Sequence, residues 1–181
     1  MSGFFRNLPN ILTILRMAAV PLFAVFMLKD NLAAAAIVFL AAELTDVADG
    51  IIARRYNLIT TFGKLADPFA DKLMQLTALF LLSAKGMILR IVPWLVLSKD
   101  LFLLISGFWV IKCRKKIDVS SKWFGKLTSV ILFIAIMLSF LGVPRTITDP
   151  IFWLCVAMAL FTAVMYICNY FKQTRAAQAK K

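Results

Sequence analysis

The sequence predicts an all-α fold: a polytopic membrane protein built as a six-transmembrane-helix bundle. Of its 181 residues, 62% are hydrophobic and only 17% are charged, whereas a soluble domain is about half apolar and a quarter charged. The apolar residues also fall into stretches of roughly 20 residues, the length that crosses a bilayer as a helix. The predicted spans are 8–28, 33–56, 64–84, 91–112, 124–142 and 150–171.

The first span, 8–28, follows Arg6 in the manner of a secretory signal. We expect it to be retained as a helix, because it is longer than the apolar part of such a signal and Arg16 interrupts it. The second and third spans, 33–56 and 64–84, carry most of the acidic residues of the chain. These two spans are therefore the ones in which chemistry is expected.

The fourth span, 91–112, contains an adjacent lysine and aspartate, and a basic loop, 112–126, follows it. The last two spans are apolar along most of their length, and the chain ends in a polar tail. No soluble domain is visible in the sequence. We therefore predict one membrane domain, 1–172, and a polar tail, 173–181.

The basic residues orient the predicted bundle and argue against a nucleic-acid partner. The net charge is +12, but the positive side chains lie between apolar spans, so we expect contact with membrane lipids and not with nucleic acid. An even number of spans puts both termini on the side where most basic residues lie, and the positive-inside rule makes that side cytoplasmic. These residues are Arg6, Arg54, Arg55, Lys64, Lys112, Arg114, Lys115, Lys116, Lys122, Lys126, Lys172, Arg175, Lys180 and Lys181.

The residue types that are present limit the possible chemistry. Histidine is absent, which excludes His-based acid–base catalysis, the Ser-His-Asp triad and the common zinc sites. The cysteines, Cys113, Cys155 and Cys168, are spaced neither as a metal site nor as a disulfide framework. Any catalysis must therefore use carboxylates, lysine, arginine or a bound ion.

Two pairs of aspartates lie in the second and third spans, near the cytoplasmic surface: Asp46 and Asp49, then Asp67 and Asp71. A carboxylate at bilayer depth costs several kcal/mol unless it is paired, hydrated or bound to a cation. Residues three or four apart share a helix face, so each pair forms one stripe. Oxygen ligands without His or Cys suit Mg²⁺ or Mn²⁺, and these carboxylates are enough to hold two ions.

Small residues accompany the aspartates. Gly50, Ala53 and Gly63 leave room for a flat group close to the backbone, and Arg54 at the membrane edge can orient a phosphate. A nucleotide diphosphate fits this description, with one carboxylate receiving a proton from an attacking hydroxyl. As an alternative, the small residues only permit close helix packing, and Arg16 only neutralises an aspartate. The register of the aspartates favours the functional interpretation.

The pattern D-x2-D-G-x2-A-R-x8-G-x3-D-x3-D resembles the signature of the CDP-alcohol phosphatidyltransferase family. Its fixed positions are filled here by Asp46, Asp49, Gly50, Ala53, Arg54, Gly63, Asp67 and Asp71. The resemblance implies six transmembrane helices, usually in a homodimer, and metal binding by all the aspartates, with Asp71 also acting as the base that deprotonates the acceptor alcohol. It implies further that the glycine, alanine and arginine positions accommodate the CDP of a CDP-activated lipid.

The stretch from Pro9 to Arg16 resembles the start of the bacterial phosphatidylglycerophosphate synthases of this family, and it places Asn10 and Thr13 at the CDP-diacylglycerol site. The stretch 121–128 is similar to their S-K-x-G-K-x-x-T sequence with one residue inserted. Both similarities imply glycerol 3-phosphate as the acceptor, and a bacterial cytoplasmic membrane with the active site on its cytoplasmic side. The residues expected to bind the acceptor's phosphate are Lys99, Arg114, Lys122 and Lys126.

One departure from these synthases leaves the acceptor open. They typically carry Ser-Arg-Glu or Ser-Arg-Asp in the fourth helix, whereas this chain has Ser98, Lys99 and Asp100, which is more similar to the cardiolipin synthases of the same family. Lysine keeps the charge but lacks the bidentate fork of arginine. Phosphatidylglycerol and an inositol phosphate therefore remain alternative acceptors. Functions of another class, an ion-coupled carrier or a lipid-binding scaffold, would also place acids in a membrane.

Overall fold

The computed structural model describes residues 3–55, 61–112 and 122–178, and over these ranges the chain is helical and contains no strand. The helices are α1 Gly3–Leu28, α2 Leu32–Arg55, α3 Thr61–Ala84, α4 Val92–Lys112, α5 Lys122–Phe140 and α6 Arg145–Gln178. Each corresponds to one predicted span. The predicted all-α fold is therefore confirmed.

Helix α6 is longer than the span predicted for it. It begins at Arg145, because the carbonyl of Pro144 accepts the backbone N–H of Ile147 and closes the first turn. Pro150 is tolerated because it lies near the start of the helix, where few backbone hydrogen bonds are lost. At the other end the helix continues to Gln178 and so includes much of the predicted polar tail.

The helices form two compact units, Met1–Lys85 with α1, α2 and α3, and Gly86–Lys181 with α4, α5 and α6. In the first unit α1 packs against both other helices, and α2 also contacts α3. In the second unit α6 packs against both α4 and α5. Each unit is thus organised around one helix, α1 in the first and α6 in the second.

The buried face of α1 decides where the core of the first unit lies. It is a stripe at three- and four-residue spacing, formed by Thr13, Arg16, Val20, Phe23 and Met27. The apolar half of this stripe packs on α2, where the ring of Phe39 lies 6.1 Å from that of Phe23 between centroids. The polar half, Thr13 and Arg16, lies near the middle of the helix. The apolar core and the buried polar residues of this unit are therefore separated along α1.

We expect Phe39→Ala to lower the stability of the protein far more than Ile37→Ala on the same helix. Phe39 is 0% exposed and Ile37 is 69% exposed, so only the first change leaves a cavity, at a typical cost of about 3–5 kcal/mol. The midpoint of thermal unfolding in detergent measures the difference. Equal midpoints for the two variants would contradict the packing of α1 against α2.

Large apolar side chains cover much of the outward surface, for example Leu28, Ile37 and Leu141. Such surfaces fit lipid better than water. Among the described residues, two helical stretches are long and apolar enough to cross a membrane by length and composition alone, Ile11–Leu28 with a mean hydropathy of 2.3 and Arg145–Met165 with 1.8. The described helices thus agree in number with the predicted spans, and two of them meet this membrane criterion.

Candidate active site

Polar and charged side chains from all the helices of the first unit come together beside the polar half of the α1 stripe. We call this set the acidic cluster; its members are Thr13 and Arg16 on α1, Glu43 and Asp46 on α2, and Asp67, Asp71 and Lys72 on α3. The cluster forms because the buried stripe of α1 turns from apolar to polar at Arg16. Asp46, Asp67 and Asp71, three of the predicted metal-binding aspartates, therefore lie in one neighbourhood on α2 and α3.

Arg16 is buried in the acidic cluster. Its side chain is only 2% exposed, and its Nη1 forms an ion pair with Oδ1 of Asp46. A charge at this depth is costly unless a group of opposite charge pairs with it. The side chain of Asp46 is 36% exposed, so this carboxylate is held by Arg16 on one side and remains accessible on another.

Thr13 makes the corresponding contact with α3. It is fully buried, and its Oγ1 donates a hydrogen bond to Oδ1 of Asp67. Asp46 and Asp67 also lie close enough for their charges to interact. Helix α1 thus contacts the first carboxylate of each predicted acidic stripe and holds the two beside one another. The predicted contact of Thr13 with a CDP-lipid stays a prediction.

Asp71 lies one turn after Asp67 and is a quarter exposed. Its Oδ2 is 4.0 Å from Nζ of Lys72, and the same ammonium donates a hydrogen bond to Oε1 of Gln75 at 3.2 Å. Lys72 is therefore held between a carboxylate and an amide of its own helix. The carboxylate of Asp71 is partly exposed, so a substrate hydroxyl can reach it, which is the first requirement of a general base.

Sequence reasoning assigned no role to Glu43, which the structure places in the acidic cluster. This residue is half-buried on α2, and its carboxylate interacts electrostatically with those of Asp46 and Asp71. The signal in the sequence was its position three residues before Asp46, which puts both on one helix face. Glu43 thus adds a further negative charge to the predicted metal site.

Several predicted site residues cannot be compared with this geometry. Gly50 is half-buried in α2. The remaining predicted positions lie outside the described side chains, and Arg114 lies outside the described chain altogether; they are Asn10, Asp49, Ala53, Arg54, Gly63, Arg114, Lys122 and Lys126. Their predicted roles stay predictions.

The donor chemistry of the acidic cluster fits a hard divalent cation. Its acidic members offer carboxylate oxygens only, which Mg²⁺ and Mn²⁺ prefer. Within the described part of the chain, no three such side chains converge into a group that could hold a metal ion. Asp49, one turn after Asp46, lies outside those side chains. The metal site formed by all the predicted aspartates therefore stays a prediction.

The second unit has a separate, partly open cavity of ≈ 320 Å³ between α4, α5 and α6. Its walls are mostly apolar, and its polar lining comes from Ser98, Lys99 and Thr128. Nζ of Lys99 lies 2.7 Å from Oδ1 of Asp100. Of the predicted acceptor-phosphate residues, Lys99 is the one whose side chain is described, and it contributes a positive charge to an apolar cavity.

Comparison with known proteins identifies the family of this chain. The profile of the CDP-alcohol phosphatidyltransferase family matches residues 6–165. This range includes the whole acidic cluster and the cavity that Lys99 lines. The chain belongs to this family. CDP-alcohol phosphatidyltransferases are membrane-embedded enzymes that generally use divalent metal ions.

Individual CDP-alcohol phosphatidyltransferases resemble the chain over half of its length or more. It is 32% identical over 171 residues to the CDP-diacylglycerol--glycerol-3-phosphate 3-phosphatidyltransferase of Rickettsia bellii, covering 89% of this chain and 93% of that protein. It is 39% identical over 136 residues to a probable phosphatidylglycerophosphate synthase of Mycobacterium tuberculosis, covering 72% and 64%. It is also 48% identical over 96 residues to a CMP-forming cardiolipin synthase of Oryza sativa subsp. japonica, covering 50% and 29%.

Proposed function

We propose that this protein transfers the phosphatidyl group of CDP-diacylglycerol to a hydroxyl of sn-glycerol 3-phosphate, giving phosphatidylglycerophosphate and CMP. The observation that carries this proposal is its similarity, over 89% of the chain, to a protein named for that reaction. The acidic cluster supports it, because carboxylates gathered from two helices suit the binding of a diphosphate through divalent ions. The protein is thus a transferase of phospholipid biosynthesis.

Asp46, Asp49, Asp67 and Asp71 are the proposed ligands of two ions, Mg²⁺ or Mn²⁺. When bound, these ions supply positive charge that offsets the charge of the diphosphate and of the departing CMP. The contacts of Arg16 with Asp46 and of Thr13 with Asp67 support this assignment, because they hold carboxylates from different helices next to each other.

Asp71 is the proposed general base. Its carboxylate accepts the proton of the acceptor hydroxyl while that oxygen bonds to the phosphorus of the phosphatidyl group, and the bond from this phosphorus to the CMP oxygen breaks. CMP leaves with the electrons of that bond. The partial exposure of Asp71 supports the role, because an acceptor hydroxyl can reach its carboxylate.

The remaining proposed contacts divide between the two substrates. Gly50, Ala53, Arg54, Gly63 and Asn10 accommodate the CDP-lipid, and buried Thr13 belongs to that site through its hydrogen bond to Asp67. Lys99, Arg114, Lys122 and Lys126 bind the phosphate of the acceptor. Arginine suits a phosphate because its donors form a planar fork. The position of Lys99 on the wall of a cavity supports a ligand-binding role for that residue.

The proposed arrangement in the membrane follows the charge distribution. All the helices span a bacterial cytoplasmic membrane, with both termini and the acidic cluster on the cytoplasmic side, where the positive-inside rule puts the basic segments. The membrane domain is 1–172, with a tail at 173–181, and the protein acts as a homodimer among membrane lipids.

A second candidate acceptor is phosphatidylglycerol, which would make the enzyme a cardiolipin synthase. The mostly apolar walls of the cavity beside Lys99 favour it, because a lipid acceptor has apolar chains to bury. Apolar walls of this kind do not favour an inositol phosphate, which is polar throughout.

We expect purified protein with CDP-diacylglycerol and Mg²⁺ to release CMP fastest when glycerol 3-phosphate is the acceptor. The assay compares it with phosphatidylglycerol, inositol phosphate and no acceptor, and mass spectrometry identifies the lipid product. A faster reaction with phosphatidylglycerol would change the acceptor but not the reaction. If no acceptor supported CMP release, while the protein moved cations across vesicle membranes, the carrier alternative would be correct instead.

A further inference from the structure

We propose that Thr13 and Arg16 are positioning residues, through which α1 orients Asp46 and Asp67 for binding a divalent cation. This inference rests on the proposed function, because it assigns these carboxylates to the metal site. It adds that the metal site depends on a helix that contributes none of the proposed ligands. Neither residue needs to touch the ion itself.

The first support is the placement of the two residues on α1. They lie three residues apart and therefore on one face of the helix, and they are 0% and 2% exposed. Burying a hydroxyl and a guanidinium is unfavourable unless each has a polar partner. Each has a carboxylate as a partner, and the two carboxylates come from different helices.

The second support is electrostatic. Asp46 and Asp67 carry like charges that interact, and like charges tend to separate in the absence of a cation. The hydrogen bond from Thr13 and the ion pair with Arg16 each engage the Oδ1 atom of one carboxylate. Both carboxylates are therefore held before any ion is bound. Loss of partners that orient metal ligands typically costs about 10–100-fold in metal affinity or activity.

Thr13 allows the cleaner test, because its side chain is uncharged. Thr13→Val removes the hydroxyl at nearly constant volume, and Thr13→Ser keeps it. The matched control is Thr77→Val on α3, since the hydroxyl of Thr77 donates to the carbonyl of Leu73 in its own helix at 2.7 Å. Full-length protein in detergent is titrated with Mn²⁺, and free Mn²⁺ is followed by electron paramagnetic resonance.

We expect Thr13→Val to raise the Kd for Mn²⁺ by about 10-fold or more, while Thr13→Ser and Thr77→Val stay near wild type. In the CMP-release assay, the Mn²⁺ concentration for half-maximal rate should rise in parallel, with little change in the KM for glycerol 3-phosphate. A role in packing alone would instead lower the unfolding midpoint and leave the Mn²⁺ affinity of the folded protein unchanged.

Substitutions of Arg16 distinguish a role in orienting Asp46 from an effect of its positive charge alone. If its charge alone mattered, Arg16→Gln would strengthen Mn²⁺ binding, because a cation next to the site would be gone. If Arg16 orients Asp46, Arg16→Gln should instead weaken Mn²⁺ binding. Arg16→Lys should recover only part of the wild-type affinity, since lysine lacks the planar fork. The control is Lys85→Gln, which removes the ion pair with exposed Asp30 in the same unit.

The outcomes are distinct. Wild-type Mn²⁺ affinity in Thr13→Val, or tighter binding in Arg16→Gln, overturns the role of the residue concerned. If Thr13→Val fails to fold, Thr13→Ala removes the same hydroxyl with a smaller side chain, and its Mn²⁺ affinity is measured instead. Failure of the wild-type protein to bind Mn²⁺ or to release CMP would instead overturn the proposed function.

Discussion

Asp71→Asn should slow CMP release by roughly 10²–10⁴-fold, the usual contribution of a general base. Asparagine keeps the size and the hydrogen-bonding oxygen of the side chain but cannot accept the proton of the acceptor hydroxyl at neutral pH. Because the change is nearly isosteric in a partly exposed position, the fold should survive. The measurement is kcat for CMP release at saturating glycerol 3-phosphate and Mg²⁺.

The control for this variant is Asp30→Asn, which neutralises an exposed aspartate of the same unit outside the acidic cluster. We expect its kcat to stay close to that of the wild type, because an exposed ion pair contributes little to stability. If Asp71→Asn turned over at the wild-type rate, another group would have to be the base, and Glu43 would be the next candidate to substitute.

The second large effect is expected for Asp67→Asn, with a loss of roughly 10²-fold or more in CMP release. The Oδ1 of asparagine can still accept the hydrogen bond from Thr13, so the packing of α1 against α3 is kept while the negative charge is lost. The variant should therefore fold normally but bind Mn²⁺ weakly. Thermal unfolding, Mn²⁺ titration and the CMP-release assay together separate these effects.

Chelation gives an independent check on the same point. EDTA should abolish CMP release by the wild-type protein, and added Mg²⁺ or Mn²⁺ should restore it. Asp67→Asn should need a higher ion concentration for any recovery. The control is Asp149→Asn in the second unit, which removes a carboxylate whose Oδ2 lies 3.6 Å from Nε of Arg145, and it should recover like the wild type. Full activity in the presence of EDTA would contradict a metal site at the acidic cluster.

Much of the fold was predictable because it depends on local properties of the chain. The lengths of the apolar stretches predicted the number of helices and most of their ends, and helical spacing predicted that the aspartates of each pair share a face. The start of α6 was not predicted, because it depends on a turn at Pro144 that hydropathy does not register. The family was also recognisable from the sequence, since its signature lies within one continuous segment.

The contacts between helices were not predictable in this way. Thr13 and Asp67 are 54 positions apart in the chain, and the sequence suggested a lipid contact for Thr13 rather than a bond to a carboxylate. It allowed Arg16 to neutralise an aspartate without indicating Asp46, and it assigned nothing to Glu43. Periodicity shows which residues share a face of one helix, but which faces meet is set by side-chain packing among several helices. The sequence alone therefore determined which aspartates are candidate site residues. The partners that hold them depend on the tertiary structure, because they come from the packing of α1 against both α2 and α3.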